Sequence, residues 1–393
     1  MDRASEPLSD IRVLDLTRIL AGPWCTQMLA DFGADVLKVE QRGAGDESRA
    51  WGPPFYRDKT GERVSSYFCC ANRGKRSIAI DFNSPADRAE VLELARQADV
   101  LVENFRVGGL KKWGLDYESV RKINPGIVFC SITGYGQTGP HASRAGYDSI
   151  MQAVGGMMSV TGEADDKPGG GPQKSGVPVI DLMTGVYAVA GIMIALHHRR
   201  RTGEGQWIDI SLLDTQVTSL STMAAAYYHS GHVPKRTGNE HPTVVPGGVM
   251  PCSDGHVMLM VGSDRQFARM CQRLGLPHLA EDGRFRGNEQ RVAHKDALMP
   301  MLKEAFAKQP RAHWIEVLSA DGVPCGPIND IGEVLNDQQV VARELVARMS
   351  ETEFGDIAVM GNPLHLSRTP PRYRAPPMMP GGAASRRFRE RQK

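Results

Sequence analysis

Short apolar runs alternate with amphipathic stretches through the first 135 residues, and each run predicts a strand. The runs are Ile11–Leu16, Val36–Val39, Ser77–Phe82, Val100–Val102 and Ile127–Ile132. Gly22-Pro23 opens a helical stretch that continues to Phe32, and Gly43–Gly45 is a turn after the second strand. Ser84 has the place of an N-cap, with Pro85 at the first helical position and Asp87 in the first turn. Val91, Leu94, Ala95 and Ala98 then recur at helical spacing and mark the face of that helix that turns inward. Strand, helix and strand in this order predict a parallel sheet with helices on both faces.

The pattern changes further along. Gly162–Pro178 is rich in glycine, proline and charge and predicts a surface loop. An apolar run from Asp181 predicts a long buried helix to about Arg200, followed by a strand at Trp207–Leu212 and a helix through Tyr228. Beyond Gly238, a strand at His256–Val261 precedes a helix opened by Ser263, with Gln266 spaced to close a capping box. Phe267, Met270, Cys271 and Leu274 give that helix one apolar face. The expected fold class is α/β, with residues 1–229 as a large Rossmann-like domain and 230–325 as a smaller α+β domain. Residues 326–367 return to the large domain, and 368–393 form a basic Pro/Gly/Arg-rich tail expected to be disordered. No G-x-G-x-x-G follows the first strand and no G-x-x-x-x-G-K-[ST] occurs, which argues against dinucleotide and nucleoside triphosphate sites of the usual kind.

Composition narrows the class. A chain of 393 residues, 41% hydrophobic, can bury a large core. The formal charge is only +2, and eight of the basic residues but a single acid, Glu390, lie from Arg368 onward. The body is therefore mildly acidic, which argues against nucleic acid as a partner. Seven cysteines without a C-x-x-C pair, and no histidine cluster at ligand spacing, point to a reducing compartment and to no metal. The N-terminus has acids and no apolar run, so it resembles neither a signal nor a transit peptide. The stretch Val179–Leu196 is interrupted by Asp181, two glycines and Thr184, which argues against a membrane span. A soluble, cytoplasmic protein is expected. Asp181, at the head of an apolar helix, reads on its own as an N-cap.

Several phrases carry a resemblance. They are Asp15–Pro23 (DLTRILAGP), Lys38-Val39-Glu40, Asn72–Asp81 (NRGKRSIAID) and Val102-Glu103-Asn104-Phe105. Ser131–Gly136 (SITGYG), Gly146-Tyr147-Asp148, Asp181 with Thr184-Gly185, and Thr202-Gly203-x-Gly205 follow in order. Together they resemble the class III CoA-transferases, the family of formyl-CoA and carnitine CoA-transferases and 2-methylacyl-CoA racemases. Glu47–Phe55 and Gln137–Pro140 bring the chain nearest to the glutarate or dicarboxylate branch.

The resemblance implies a homodimer of interlocked chains that moves CoA between carboxylic acids. The CoA thioester is then a substrate, and no cofactor is bound permanently. Asp181 aligns with the family's catalytic aspartate, and its place at a helix N-terminus is expected to keep it ionised. The Ala21-Gly22-Pro23 turn is a source of oxyanion donors, or a bare structural turn. By alignment Ile19, Leu20 and Ala21 line the pantetheine path. Ile80 and Asn83 flank the adenine, with Asn104, Phe105 and Arg106 beside it. Lys112 stands where the family has a phosphate-binding arginine, its alternative being a solvated helix face. Gln41 replaces another such arginine, leaving Arg42 as the substitute. Arg18, Arg49 and Arg144 are the candidates for a dicarboxylate's far carboxyl group, and Tyr147 and Asp148 for the acyl end.

Departures from the family pattern bear on the substrate. Leu20 stands where formyl-CoA transferases have glutamine, and only Pro246-Gly247-Gly248 stands for their poly-glycine loop, so oxalate is a poor acceptor. Tyr147 replaces the racemase histidine, and a tyrosine with a pKa near 10 is a weak base at neutral pH. A racemase, a CoA-binding homologue without activity, and an interaction module built on the basic tail are the alternatives. The tail also lacks the family's closing Leu-Gly-x-His-Thr phrase.

Overall fold

A computed structural model describes residues 6–382 and 386–390 and divides into two compact units. Unit 1 comprises Met1–Met157, Ser175–Ser230 and Gln338–Lys393, and unit 2 comprises Met158–Lys174 and Gly231–Asp337.

Unit 1 is built on six parallel strands: β1 (Arg12–Leu16), β2 (Asp35–Gln41), β3 (Arg76–Ile80), β4 (Val100–Glu103), β5 (Val128–Thr133) and β6 (Gln206–Ser211). Their order across the sheet is β3-β2-β1-β4-β5-β6. This is the order of doubly wound dinucleotide-binding folds. β1, β2, β4 and β5 are buried on both faces because both are covered, while β6 at the edge alternates half-buried and exposed positions. Val13, Val36, Val100 and Val128 face α1 (Ala21–Asp31) and α4 (Val179–Thr202). Leu14, Leu37, Leu101 and Phe129 alternate with them and meet Val91, Leu94 and Ala95 of α2 (Pro85–Gln97). Ser84 caps α2 as its spacing predicts, its Oγ accepting from Asp87 N. A short helix, α3 (Asp148–Val154), precedes α4.

Helix α4 is long and apolar enough to cross a membrane. Ile180, Thr184, Ala188, Ile192 and Ala195 nevertheless recur every three or four residues and are buried in unit 1. Its other face leaves Val186, Tyr187, Met193 and Ile194 exposed, so the expectation of a wholly buried helix holds for one face only. The helix expected to run through Tyr228 is two, Leu212–Ser219 and Ser221–Ser230, broken where Ser221 takes φ 36°.

Unit 2 carries a three-stranded antiparallel sheet, Gly247–Cys252, Gly255–Met260 and Cys325–Pro327, with its own core around Phe267, Phe285 and Phe306. Ser263 caps its helix as predicted, but Gln266 Oε1 accepts from Gly262 N rather than closing a capping box.

The tail departs from expectation. Phe388 is buried in the core beneath β3, Arg386 pairs with Glu90 at 2.7 Å, and Asp35 Oδ2 accepts from Arg389 N at 2.7 Å. Composition hides this because one aromatic anchor and two carboxylate-bound arginines are enough to seat a segment otherwise poor in apolar residues. The parts of the expected tail at 383–385 and 391–393 lie outside the described residues, as do 1–5.

Candidate active site

The order of winding reverses between the parallel strands β1 and β4: the helix after β1 leads towards β2, while the chain after β4 leads towards β5. A crevice results at the carboxyl ends of these two strands. Thr17–Leu20 leaves β1 and Asn104–Val107 leaves β4, whose last pairing is Leu16 with Glu103. Asn104 ties the two loops together, accepting from Arg18 N at 2.9 Å and donating to Arg18 O at 2.7 Å.

The first loop rests on buried charges. Lys38 Nζ donates to Thr17 O at 2.7 Å and pairs with Asp46 at 2.9 Å, both side chains being at most 1% exposed. Lys75 pairs with Asp15 at 3.1 Å and donates to Pro23 O at 2.9 Å. Burial alone would raise the Asp46 carboxyl, but Lys38 and the Ser48 hydrogen bonds outweigh it and hold it at about 2. Asp46 also accepts from Ile19 N at 3.2 Å. Ile19 sits at φ 71°, where a β-branched residue is strained, and these contacts hold it there. Gly22 is required as well, since a Cβ would lie 2.4 Å from the Thr17 side chain.

Asp181 is the third residue of α4, not its N-cap; Pro178 holds that position without a side-chain bond. The capping carboxylate comes from α3. Asp148 Oδ2 accepts from Ile180 N at 2.8 Å and Asp181 N at 3.2 Å, satisfying donors that the helix itself leaves open. Gln152 donates to Asp148 and accepts from Ser175 N at 2.8 Å, which fixes the approach to α4. One turn on, a Cβ at Gly185 would lie 2.8 Å from Ala21 O and 3.0 Å from the Trp24 ring, so α4 touches α1 there. Residues four apart share a helix face, so Asp181 lies towards the N-terminus of α1. The first N–H groups of α1, on Ala21 and Gly22, have no acceptor within the helix.

Contrary to expectation, the helix terminus does not hold the Asp181 carboxyl low. Burial first and the Asp148 charge second push its carboxyl up to about 7, because both disfavour a second anion there. Asp148→Asn retains an acceptor for the helix but removes the charge. The acid limb of the pH–rate profile is then expected to move to lower pH by up to about one unit. An unmoved limb would exclude Asp148 as a cause.

A cavity of about 320 Å³ holds Asp181 together with Arg18, Ile19, Leu20, Ala21, Asn104, Phe105, Arg106, Arg144 and Tyr147. A second cavity of about 290 Å³ shares Arg18, Glu47 and Phe105 with it. Phe82 and Trp113 form a wall of that second cavity, their rings stacked at 4.6 Å, with the Phe105 edge against them. Sequence reasoning missed both rings; an aromatic just past a strand end, and another beside Lys111-Lys112, are the available signals. Lys112 lies exposed with Nζ 4.3 Å from the Trp113 ring centre.

Six predicted residues line neither cavity: Lys112, Ile80, Asn83, Arg42, Arg49 and Asp148. Ile80 is wholly buried in the core, and Asn83 is exposed outside both cavities. Arg42 pairs with Asp87 at 2.5 Å, and Arg49 is buried against Glu40 at 2.7 Å, donating also to Met378 O. Asp148 turns to the helix backbone rather than to an acyl group. A buried acid at the end of β4, Glu103, was also missed; burial raises it to about 7, partly offset by Ser131 and Phe105 N. Among the described residues no cluster of metal-ligating side chains occurs.

Comparison with known proteins follows the same lines. The sequence pattern of CoA-transferase family III matches residues 8–383. The succinate–glutarate CoA-transferase of Agrobacterium fabrum is 47% identical over 377 residues, covering 96% of this chain and 93% of that protein. The succinyl-CoA:glutarate CoA-transferase of Mus musculus is 42% identical over 376 residues, covering 96% and 84%. A crystal structure of a CAIB/BAIF family protein from Brucella suis superposes with a TM-score of 0.86 at 43% identity, covering 96% of this chain and 97% of that one.

Proposed function

This chain is a CoA-transferase and belongs to CoA-transferase family III, and on that premise we propose that it moves CoA from succinyl-CoA to glutarate or a dicarboxylic acid of similar length. The observation that carries the chemistry is a carboxylate, Asp181, in one cavity with the strained Ile19–Ala21 turn at the head of α1.

Asp181 attacks the thioester carbonyl of the donor; the C–S bond breaks and CoA leaves as thiolate, giving a mixed anhydride. The thiolate then adds to the aspartyl carbonyl and expels the donor acid, leaving an aspartyl-CoA thioester. The acceptor carboxylate attacks that carbonyl and repeats the two steps in reverse. One thioester replaces another, so no outside energy source is required. Each addition places negative charge on a carbonyl oxygen, and the open N–H groups of Ala21 and Gly22 suit it. The aromatic slot of Phe82, Trp113 and Phe105 has the flat apolar walls an adenine needs, with Lys112 at hand for phosphate.

A homodimer belongs to the same reading. Val186, Tyr187, Met193 and Ile194 on one face of α4, and Tyr228 at 86% exposure, form apolar surface suited to a second copy. The seven free cysteines suit a reducing, cytoplasmic setting.

Succinyl-CoA and glutarate, mixed with the protein and followed by chromatography, are expected to yield glutaryl-CoA. Hydroxylamine or borohydride added after succinyl-CoA alone is expected to mark Asp181. Deuterium wash-in at the α-carbon of a 2-methylacyl-CoA, with no glutaryl-CoA formed, would favour a racemase instead.

A further inference from the structure

We infer that Arg144 is the cation that holds the far carboxylate of the acid bound at Asp181, and thereby makes the site select dicarboxylic over monocarboxylic acids. This rests on the dicarboxylate reading given above.

Charge within the cavity calls for such a group. Asp181 and Glu47 both line it, and once Arg18 is taken up by Glu47 a dianionic acid still meets the Asp181 carboxyl without a counter-charge. Arg18 does not answer this demand. It is paired with Glu47 at 2.9 Å and lies over the Phe105 ring at 5.0 Å. Arg49 is buried against Glu40, away from the cavity. Arg144 lines the same cavity as Asp181, is exposed, and among the described residues has no carboxylate partner.

Its place is also fixed. A Cβ on Gly134 would lie 2.8 Å from Gly146 Cα, and a Cβ on Gly146 would lie 2.7 Å from Gly134 Cα. Only two glycines allow this backbone contact, which holds the Arg144–Tyr147 segment against the end of β5. Arg144 N donates to His141 O at 2.9 Å, and the His141 ring packs edge-on to Tyr135. A guanidinium on an anchored segment presents a planar fork that fits a carboxylate in two-point contact. Arg106 is the competing cation in this cavity. It also lines a separate cavity beside Tyr117 and Trp207 and so is shared between two openings, whereas Arg144 lines the Asp181 cavity alone.

The test is a comparison of glutarate with pentanoate, which has the same length and one carboxyl group, at saturating succinyl-CoA. In Arg144→Ala the KM for glutarate is expected to rise roughly 10- to 100-fold, as the loss of a charge-assisted pair implies. The efficiency with pentanoate stays within about twofold, and Arg144→Lys recovers part of the loss, which a general structural defect would not allow. Arg106→Ala is expected to raise the KM for the CoA thioester and leave the glutarate-to-pentanoate ratio as it was. An unchanged ratio in Arg144→Ala, or a fall in Arg106→Ala instead, overturns the assignment while leaving the transferase reading intact. Wild-type enzyme that uses pentanoate as well as glutarate overturns the dicarboxylate reading itself.

Discussion

Asp181→Asn is expected to lower the transfer rate by at least about a thousandfold, with CoA-thioester affinity changed only a few-fold, because the amide cannot form the covalent intermediate. The same substitution has a stability signature of unusual sign. Burial and the Asp148 charge push the folded carboxyl up to about 7, from an ordinary value of 3.8. A raised acid binds its proton more tightly when folded, so ionising it costs stability as pH climbs from about 4 to 7. Below about pH 4 both states are protonated and the cost vanishes. Asparagine never ionises, so at pH 8 the variant is expected to be on the order of 4 kcal/mol more stable than wild type, and equal to it near pH 4. Urea titrations at the two pH values measure this. In wild type, the rate of aspartyl-thioester formation is expected to fall about tenfold per pH unit below pH 6. A transfer rate that survives in the variant would remove Asp181 as nucleophile; equal stability at pH 8 would remove the raised carboxyl.

The sheet of unit 1 was legible because its central strands are buried on both faces and read as continuous apolar runs. Ser84-Pro85 could be placed at a helix start from local chemistry alone. Asp181 came forward as the proposed nucleophile only through the family phrases, since by itself it reads as a cap. The true cap, Asp148, lies 33 residues earlier in the sequence, and no local pattern connects the two. Arg49 and Arg144 look alike as residues in motifs near the site. What separates them is Glu40, which meets Arg49 through a fold contact, and the Gly134–Gly146 contact that anchors Arg144. The phrase Lys38-Val39-Glu40 carried a signal that was available but not used. Lys38 and Glu40 are two apart in a central strand, so both point to one covered face and must find partners there.

Those partners underlie the second large effect. Lys38→Met is expected to destabilise the protein by about 3–5 kcal/mol, because Asp46 stays buried without its counter-charge. The variant also deprives Thr17 O of its donor, so the Ile19 turn loosens and affinity for CoA thioester falls with stability. A second substitution separates the two losses. In Lys38→Met/Asp46→Asn neither charge is buried alone, and the amide oxygen still accepts from Ile19 N and Ser48 N. Stability is expected to recover by more than half, while Thr17 O remains unpaired and CoA affinity stays low. The pH dependence follows from Asp46 at about 2, below its unfolded value. The lowered acid contributes stability that is complete above about pH 4 and is lost as pH falls through 2. The single variant carries an unpaired Asp46 that takes up a proton more readily, so its deficit against wild type narrows in acid. A deficit that stays constant from pH 7 to pH 3 would mean that packing at residue 38, rather than the ion pair beneath the CoA turn, sets the stability of this corner.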